Sequence, residues 1–183
     1  MRAALLVACL AVAAAAGQAP NGLDLTVREE NGVYTVSARF HVPEPVAVVG
    51  EVLRDYNAIP RFMRRVRTSV VVEREPGRAL VRQEAEARFL FFSRRLHLLL
   101  DVVETPGRIE FRDRSGQSFD RYEGSWQFSA ANGGTDLSYT LVANPSLGVP
   151  GFILDRVFER DSEETMRHLR EEIAERAGAG RRP

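Results

Sequence analysis

The chain has 183 residues, and its 25 basic residues, all of them arginine, balance 25 aspartates and glutamates. This length fits one ordinary domain. The balanced charge argues against nucleic acid as the main partner, because nucleic-acid binding needs a net basic surface. The hydrophobic fraction of 44% and the charged fraction of 27% exclude a largely disordered chain. The single cysteine excludes an internal disulfide.

Residues 1–19 have the pattern of a secretory signal peptide. Arg2 gives a positive start, residues 3–16 are uninterrupted small apolar side chains, and small residues occupy the cleavage positions in 17–19. The apolar run is short for a transmembrane helix. We therefore predict export to the periplasm or to the outside of a bacterial cell. Two alternatives remain open, an uncleaved amphipathic start and a lipoprotein signal at Cys9, which the short segment before that cysteine disfavours.

The predicted secondary structure begins with a β-hairpin that two short helices follow. Apolar and polar residues alternate through 23–42 on both sides of an Asn-Gly pair, which is a strong hairpin signal. Two prolines end this hairpin. Apolar residues then recur at helical spacing through 46–56, and a second short helix holds Phe62 and Met63.

A run of strands and one long helix complete the chain. Alternating segments between turn dipeptides predict strands at 68–73, 80–92, 96–103, 108–112, 119–130 and 135–143. Residues 151–177 have the pattern of a helix with one apolar or small stripe, and residues 178–183 are expected to form a flexible tail. The stripe consists of Leu154, Phe158, Ser162, Thr165, Leu169 and Ile173.

This order of elements predicts an α+β fold. We expect a curved antiparallel sheet that wraps around the long C-terminal helix, with two short helices after the first strands. The short strand junctions favour a meander. Residues 20–177 are expected to form one domain without internal repeats. A curved sheet closed by one helix tends to enclose a cavity.

The sequence contains none of the common catalytic signatures. It has no Gly-rich phosphate loop, no Gly-x-Ser-x-Gly and no His-Glu-x-x-His. We expect the three histidines, His41, His97 and His168, to lie at the surface or at a rim, and the pairs at 64–65 and 94–95 to be solvated arginines. No catalytic residue, metal ligand or cofactor is therefore predicted. The pattern favours a role without catalysis but leaves an enzyme possible.

The positions of the predicted strands and helices that should face the interior carry an excess of bulky apolar side chains. Small residues face them, because Ser162 interrupts the helix stripe and Ala85, Ala87 and Gly124 lie on facing strands. This pairing of large and small side chains predicts a cavity for an apolar ligand. The alternative is that all of these side chains pack a core. The predicted lining consists of Phe62, Met63, Phe89, Phe91, Phe111, Tyr122, Trp126, Tyr139, Phe158 and Ser162.

Few polar side chains fall on the inward-facing positions of the predicted strands, from which they could enter such a cavity. The candidates are Tyr122, Tyr139, Gln83 and Arg39. Convergent polar groups inside the cavity would favour an enzyme over a carrier.

Several segments together resemble the START-like superfamily, also called SRPBCC or helix-grip proteins. The similarity rests on 43–46 leading into 52–57 and 59–63, on the Gly-x-Trp strand within 119–126, and on 135–139. These segments resemble most the coenzyme-Q-binding START-domain and polyketide cyclase-like proteins, and the resemblance covers about 23–177. The chain departs from the family opening at Arg64-Arg65, where a second proline is expected.

The resemblance implies a domain that binds a hydrophobic small molecule such as a lipid, an isoprenoid quinone or a polyketide-like compound. We expect this domain to be a monomer. Transient contact with a membrane is a further expectation. Since some relatives are aromatase/cyclases, a cyclase-, dehydrase- or hydrolase-type enzyme remains an alternative. A third possibility is an accessory domain that binds another protein. The export signal is unusual for quinone-binding members, so that an envelope lipid or isoprenoid is equally compatible.

Overall fold

The computed structural model describes residues 22–88, 93–146 and 148–180. Within these residues, eight strands form one antiparallel sheet, and a long C-terminal helix packs against it. This arrangement confirms the predicted α+β helix-grip fold with short helices after the first two strands. The signal-peptide pattern at 1–19 and the predicted cavity residues Phe89 and Phe91 lie outside the described residues.

The elements closely follow the predicted segments. The strands are β1 (Leu23–Glu30), β2 (Val33–Val42), β3 (Val66–Glu75), β4 (Arg78–Arg88), β5 (Ser93–Thr105), β6 (Arg108–Asp113), β7 (Phe119–Ala131) and β8 (Gly134–Pro145). The helices are α1 (Val46–Arg54), α2 (Ile59–Phe62) and α3 (Gly151–Ala179), with a 3₁₀ turn at Tyr56–Ala58. Because α3 continues to Ala179, the start of the predicted tail is helical.

The first hairpin forms where the Asn-Gly pair predicts it. Asn31 and Gly32 have φ angles of 52° and 79°, as a tight hairpin turn with two left-handed residues requires. The register that follows pairs Glu30 with Val33 and Leu23 with Phe40. The turn chemistry therefore sets which face of β2 is buried.

The sheet order β1-β2-β8-β7-β6-β5-β4-β3 differs from the expected meander at one junction. Strands β3 to β8 do form a meander, but β2 pairs with β8 and not with β3. The segment that contains α1 and α2 carries the chain from β2 to the opposite edge of the sheet. These short helices bury apolar side chains such as Val49, Val52 and Phe62, so the crossing also covers the core.

Apolar contacts and polar contacts along its length hold α3 in place. Met166, Leu169 and Ile173 are fully buried, and α3 packs against α1, α2, β1 and β2. Near its start, the Tyr34 hydroxyl donates to Asp155 at 2.8 Å. At its middle, the Arg65 guanidinium binds Asp161. Near its end, Arg176 donates to Asp55 at 2.7 Å and to Glu172 at 2.9 Å.

Candidate ligand-binding cavity

A cavity of about 170 Å³ lies between α3 and the sheet, and we call it the larger cavity. Its walls come from the start of β3, from β4, β5, β7 and β8, and from the N-terminal half of α3. Most of the lining is apolar. The apolar and aromatic side chains are Met63, Val66, Ala85, Ala87, Leu96, Leu98, Phe119, Tyr122, Tyr139, Leu141, Pro145, Leu154, Val157, Phe158 and Met166.

A smaller cavity of about 60 Å³ adjoins it. The smaller cavity is bounded by the end of α1, the 3₁₀ turn, α2 and the middle of the sheet. Four side chains line both cavities and therefore stand between them; we call them the partition. The partition consists of Met63, Gln83, Tyr122 and Tyr139.

The structure places the described members of the predicted lining around these two cavities. Met63, Tyr122 and Tyr139 belong to the partition. Phe158 and Ser162 border the larger cavity. The smaller cavity is bordered by Phe62, Phe111 and Trp126. Their placement at the cavities is observed, whereas ligand contact by each of them stays a prediction.

The small residues that the sequence placed opposite the bulky ones are of two kinds: some border a cavity, and one is small for a packing reason. Ala85 and Ala87 line the larger cavity, as does Ser162. Gly124 lines neither cavity. A Cβ at that position would overlap the Thr140 carbonyl oxygen and lie 2.6 Å from Phe111 Cζ. The glycine is therefore required by the close approach of β8 and of an aromatic ring, and the expectation that it leaves space for a ligand is wrong.

The partition carries two phenol groups with no hydrogen-bond partner among the described residues. Burial raises the pKa of Tyr122 to about 12. Burial and the neighbouring Tyr122 raise the pKa of Tyr139 well above its usual range. Both hydroxyls are therefore protonated at neutral pH and can donate a hydrogen bond.

Gln83 and Arg39, the other polar candidates, have different surroundings. Gln83 is buried, lines both cavities and donates its amide to the Ser69 hydroxyl at 3.2 Å. Arg39 is exposed on the outer face of β2, so its predicted orientation into the cavity is wrong. Its neighbours Ala38 and Phe40 hold the inward phase.

Charged side chains border one side of the larger cavity. Arg65 donates from Nε and Nη2 to the same oxygen of Asp161, at 3.1 and 3.0 Å. Burial raises the pKa of Asp161, and the Arg65 guanidinium partly opposes that rise. Glu86 lies on the same side, where hydrogen bonds from Arg67 and Arg88 lower its pKa to about 2. The expectation that Arg65 is a solvated surface charge is wrong, because it is half-buried and joins the segment just before β3 to α3.

His168 also departs from its predicted position. It is buried, lines neither cavity, and neither ring nitrogen has a hydrogen-bond partner among the described residues. The helix stripe places it beside the apolar face, and the buried surface of α3 is wider than that stripe because α1 and α2 pack against it. Glu172 is buried for the same reason and pairs with Arg61 and Arg176. His41 and His97 are exposed, as expected.

Neither a metal cluster nor a membrane-spanning helix is found in the part of the chain that the structure describes. No three histidine, cysteine, aspartate or glutamate side chains come together there in a way that could hold a metal ion. None of its helices combines the length and the apolar character that crossing a bilayer requires.

A long helix closing an apolar cavity against an antiparallel sheet agrees with what a family comparison finds. The family described as "polyketide cyclase / dehydrase and lipid transport" matches residues 34–174. The chain belongs to this family. It has the SRPBCC, or START-like, fold, and the family includes lipid-transport and polyketide cyclase proteins. The finer resemblance to coenzyme-Q-binding members stays a prediction.

Solved structures share this fold at low sequence identity. A STAR-related lipid transfer protein from Xanthomonas axonopodis is 18% identical, with a TM-score of 0.69, and the match covers 86% of this chain and 97% of that one. The Zhui aromatase/cyclase from a Streptomyces species is 17% identical, with a TM-score of 0.65 and coverage of 79% and 95%. A protein from Thermus thermophilus is 24% identical, with a TM-score of 0.65 and coverage of 81% and 99%. A comparison with curated proteins finds no match.

Proposed function

We propose that this protein binds one hydrophobic small molecule in the two cavities beneath α3 and carries it chemically unchanged. The lipid, isoprenoid and polyketide-like classes all fit the apolar lining. The observation that carries the proposal is the pair of adjoining cavities, which share the partition and are bordered mainly by apolar side chains. Among the described residues, the catalytic constellations sought in the sequence have no counterpart around them.

The physical basis is that protein interiors are normally packed to the density of organic crystals. An unfilled apolar cavity weakens a fold, because its walls lose contacts that packed side chains would make. A ligand that fills it removes apolar surface from water and gains about 25 cal/mol for each Å². The protein therefore gains stability when an apolar molecule of suitable size is bound.

The charged side of the larger cavity supports an amphiphilic ligand. Arg65, Asp161 and Glu86 border it there, whereas aromatic rings surround the smaller cavity. A polar end of the ligand is best placed beside the charges, where water or ionic partners remain available. The apolar part then extends toward the partition.

Export and membrane contact belong to the same proposal. A carrier with a cleaved signal peptide would collect its ligand from the membranes of the cell envelope. Phe152, at the start of α3, supports transient membrane contact because it is 70% exposed and lies two positions from the cavity residue Leu154. We expect amino-terminal sequencing of protein from its own host to begin near Pro20; intact Met1 on cytosolic material would contradict export.

Native mass spectrometry of protein isolated gently from its host tests the binding itself. We expect a complex with one apolar molecule, which organic extraction releases. Re-addition of the released molecule should raise the melting temperature, and the molecule should be recovered unchanged after incubation. A cyclised or hydrolysed product would favour the enzyme alternative. Protein that carries nothing and that no lipid, quinone or polyketide stabilises would contradict the proposal.

A further inference from the structure

The partition contains polar hydrogens that the fold itself does not use. The chain has four tyrosines. The Tyr34 hydroxyl donates to Asp155 at 2.8 Å, and the Tyr56 hydroxyl donates to Glu104 at 2.6 Å. Tyr122 and Tyr139 line both cavities, and their hydroxyls have no partner among the described residues. Two of the four phenol groups are therefore committed to the fold, and two remain at the junction of the cavities.

Aromatic neighbours hold these two rings in place. The Tyr139 ring centroid lies 4.3 Å from that of Trp126, and the Tyr122 centroid lies 4.8 Å from that of Phe119. Phe111 neighbours both rings, with centroid distances of 6.0 Å to Tyr122 and 6.4 Å to Tyr139. Because the rings are fixed by packing, the hydroxyls are presented at defined positions and lose little freedom when a ligand binds.

The uncharged lining of the smaller cavity limits which ligand groups can accept hydrogen bonds from these two hydroxyls. Of the residues that the structure describes, no charged side chain lines the smaller cavity, whose polar side chains are tyrosines, Gln83 and the indole of Trp126. A carboxylate or phosphate placed there would lack a cationic partner at high desolvation cost. A neutral acceptor oxygen does not carry that penalty. The Tyr122 and Tyr139 hydroxyls are not among the fully buried polar atoms without a partner, so they face the cavity space. A ligand that displaces water from this space removes a hydrogen bond from each hydroxyl, and an acceptor on the ligand would restore it.

We infer that the ligand carries a neutral acceptor oxygen, such as a ketone, quinone or ester carbonyl, between two apolar segments, and that Tyr122 and Tyr139 donate to it. One segment occupies the smaller cavity, and the remainder of the molecule extends through the larger cavity toward Arg65 and Asp161. This inference rests on the proposed function, and it narrows the ligand to a carbonyl-bearing class.

A matched pair of dyes tests the inference. In the first dye a carbonyl joins an aminonaphthalene ring to a long alkyl chain, and its emission moves to the red when the carbonyl accepts a hydrogen bond. The second dye has a methylene in place of that carbonyl. Dissociation constants of both dyes are measured for the wild type, for Tyr122→Phe and Tyr139→Phe, and for the control Tyr34→Phe. The control removes a hydroxyl that is bonded to Asp155 and lines neither cavity.

We expect Tyr122→Phe and Tyr139→Phe each to weaken binding of the carbonyl dye about five- to tenfold relative to the methylene dye, the range of one net hydrogen bond. The red shift of the bound carbonyl dye should shrink in both variants and persist in Tyr34→Phe. Circular dichroism confirms that each variant is folded.

The possible failures have different meanings. If the wild type binds both dyes and neither Tyr→Phe variant changes their affinity ratio, the carbonyl inference is overturned and the proposed function stands. If the wild type binds neither dye, the inference is overturned; if, in addition, no lipid, quinone or polyketide stabilises the protein, the proposed function is contradicted as well. If Tyr34→Phe changes the ratio as much as the other two variants, the effect is structural and the inference is also overturned.

Discussion

The two halves of α3 face the same sheet but differ in how they are packed. In the C-terminal half, Leu169 and Ile173 have no exposed surface and line neither cavity. In the N-terminal half, Phe158, Ser162 and Thr165 are only partly buried, and they border the larger cavity. The first of these halves therefore attaches the helix to the core, and the second forms a wall of the ligand space.

The kind of attachment differs as well. The cavity half is held by polar contacts at separate points, from Tyr34 to Asp155 and from Arg65 to Asp161. The core half combines a continuous apolar surface with the contacts of Arg176 to Asp55 and of Arg61 to Glu172. Separate polar contacts leave room between them, whereas continuous apolar packing does not. The difference shows how one helix can both complete a core and border a cavity.

The largest expected effect comes from truncating a leucine in each half. Leu169→Ala removes a side chain with no exposed surface and should lower the free energy of unfolding by about 2–5 kcal/mol. Leu154→Ala should lower it by less, because Leu154 already borders the larger cavity and makes fewer contacts on that side. Urea unfolding of both variants measures the difference. Equal losses would show that the two halves are packed alike.

The Arg65–Asp161 pair should contribute an intermediate and pH-dependent amount. Burial raises the pKa of Asp161 in the folded state, so folding favours its protonated form. The Asp161 carboxyl therefore favours the folded state in acid, below the ordinary aspartate pKa, and this contribution is lost as the pH rises through the raised pKa, where the carboxyl becomes a buried charge. At neutral pH the Arg65 guanidinium offsets part of the cost of the buried Asp161 charge, and Arg65→Met removes it. It should cost about 1 kcal/mol at neutral pH, since the pair is partly exposed, and little in acid.

Unfolding curves of the wild type and Arg65→Met across this pH range measure the effect. The control is Asp161→Asn, which has no titrating carboxyl at that position. The double variant Arg65→Met/Asp161→Asn and the single variant Asp161→Asn should differ in free energy of unfolding by the same amount at every pH. A growing difference in that background would show that another group causes the pH dependence.

The smallest effect on stability is expected from filling the cavity. Ser162→Leu adds a bulkier side chain beside empty space and should change the free energy of unfolding by less than about 1 kcal/mol, whereas overpacking a tight core costs about 1–3 kcal/mol. It should also block uptake of the carbonyl dye. Ala174→Leu, on the exposed side of the core half, is the matched control and should leave uptake unchanged. A large loss of stability with normal uptake in Ser162→Leu would mean that Ser162 is tightly packed.

Much of the fold was predictable because it depends on local patterns. The Asn31-Gly32 turn, the alternation along β2 and the helical stripe from Leu154 to Ile173 each act over a few residues. The phase of a side chain follows from these patterns. For that reason the described cavity residues of the sequence prediction, such as Tyr122 and Phe158, do lie at the cavities.

Other features depended on contacts between distant segments. Gly124 packs against Phe111 and β8, although its small size is equally compatible with an open cavity. His168 is buried although it lies beside the predicted stripe of α3. Sequence periodicity identifies one face of a helix, but it does not show how many neighbours cover the adjoining faces.

The sequence by itself determined the order of the elements, the first hairpin, the inward phases and the family. The tertiary structure alone decided the crossing from β2 to β3, the division into two cavities and the pairing of Arg65 with Asp161, which lie 96 positions apart. The physical reason is that local periodicity sets the direction of a side chain, whereas its neighbours are set by which distant elements pack together.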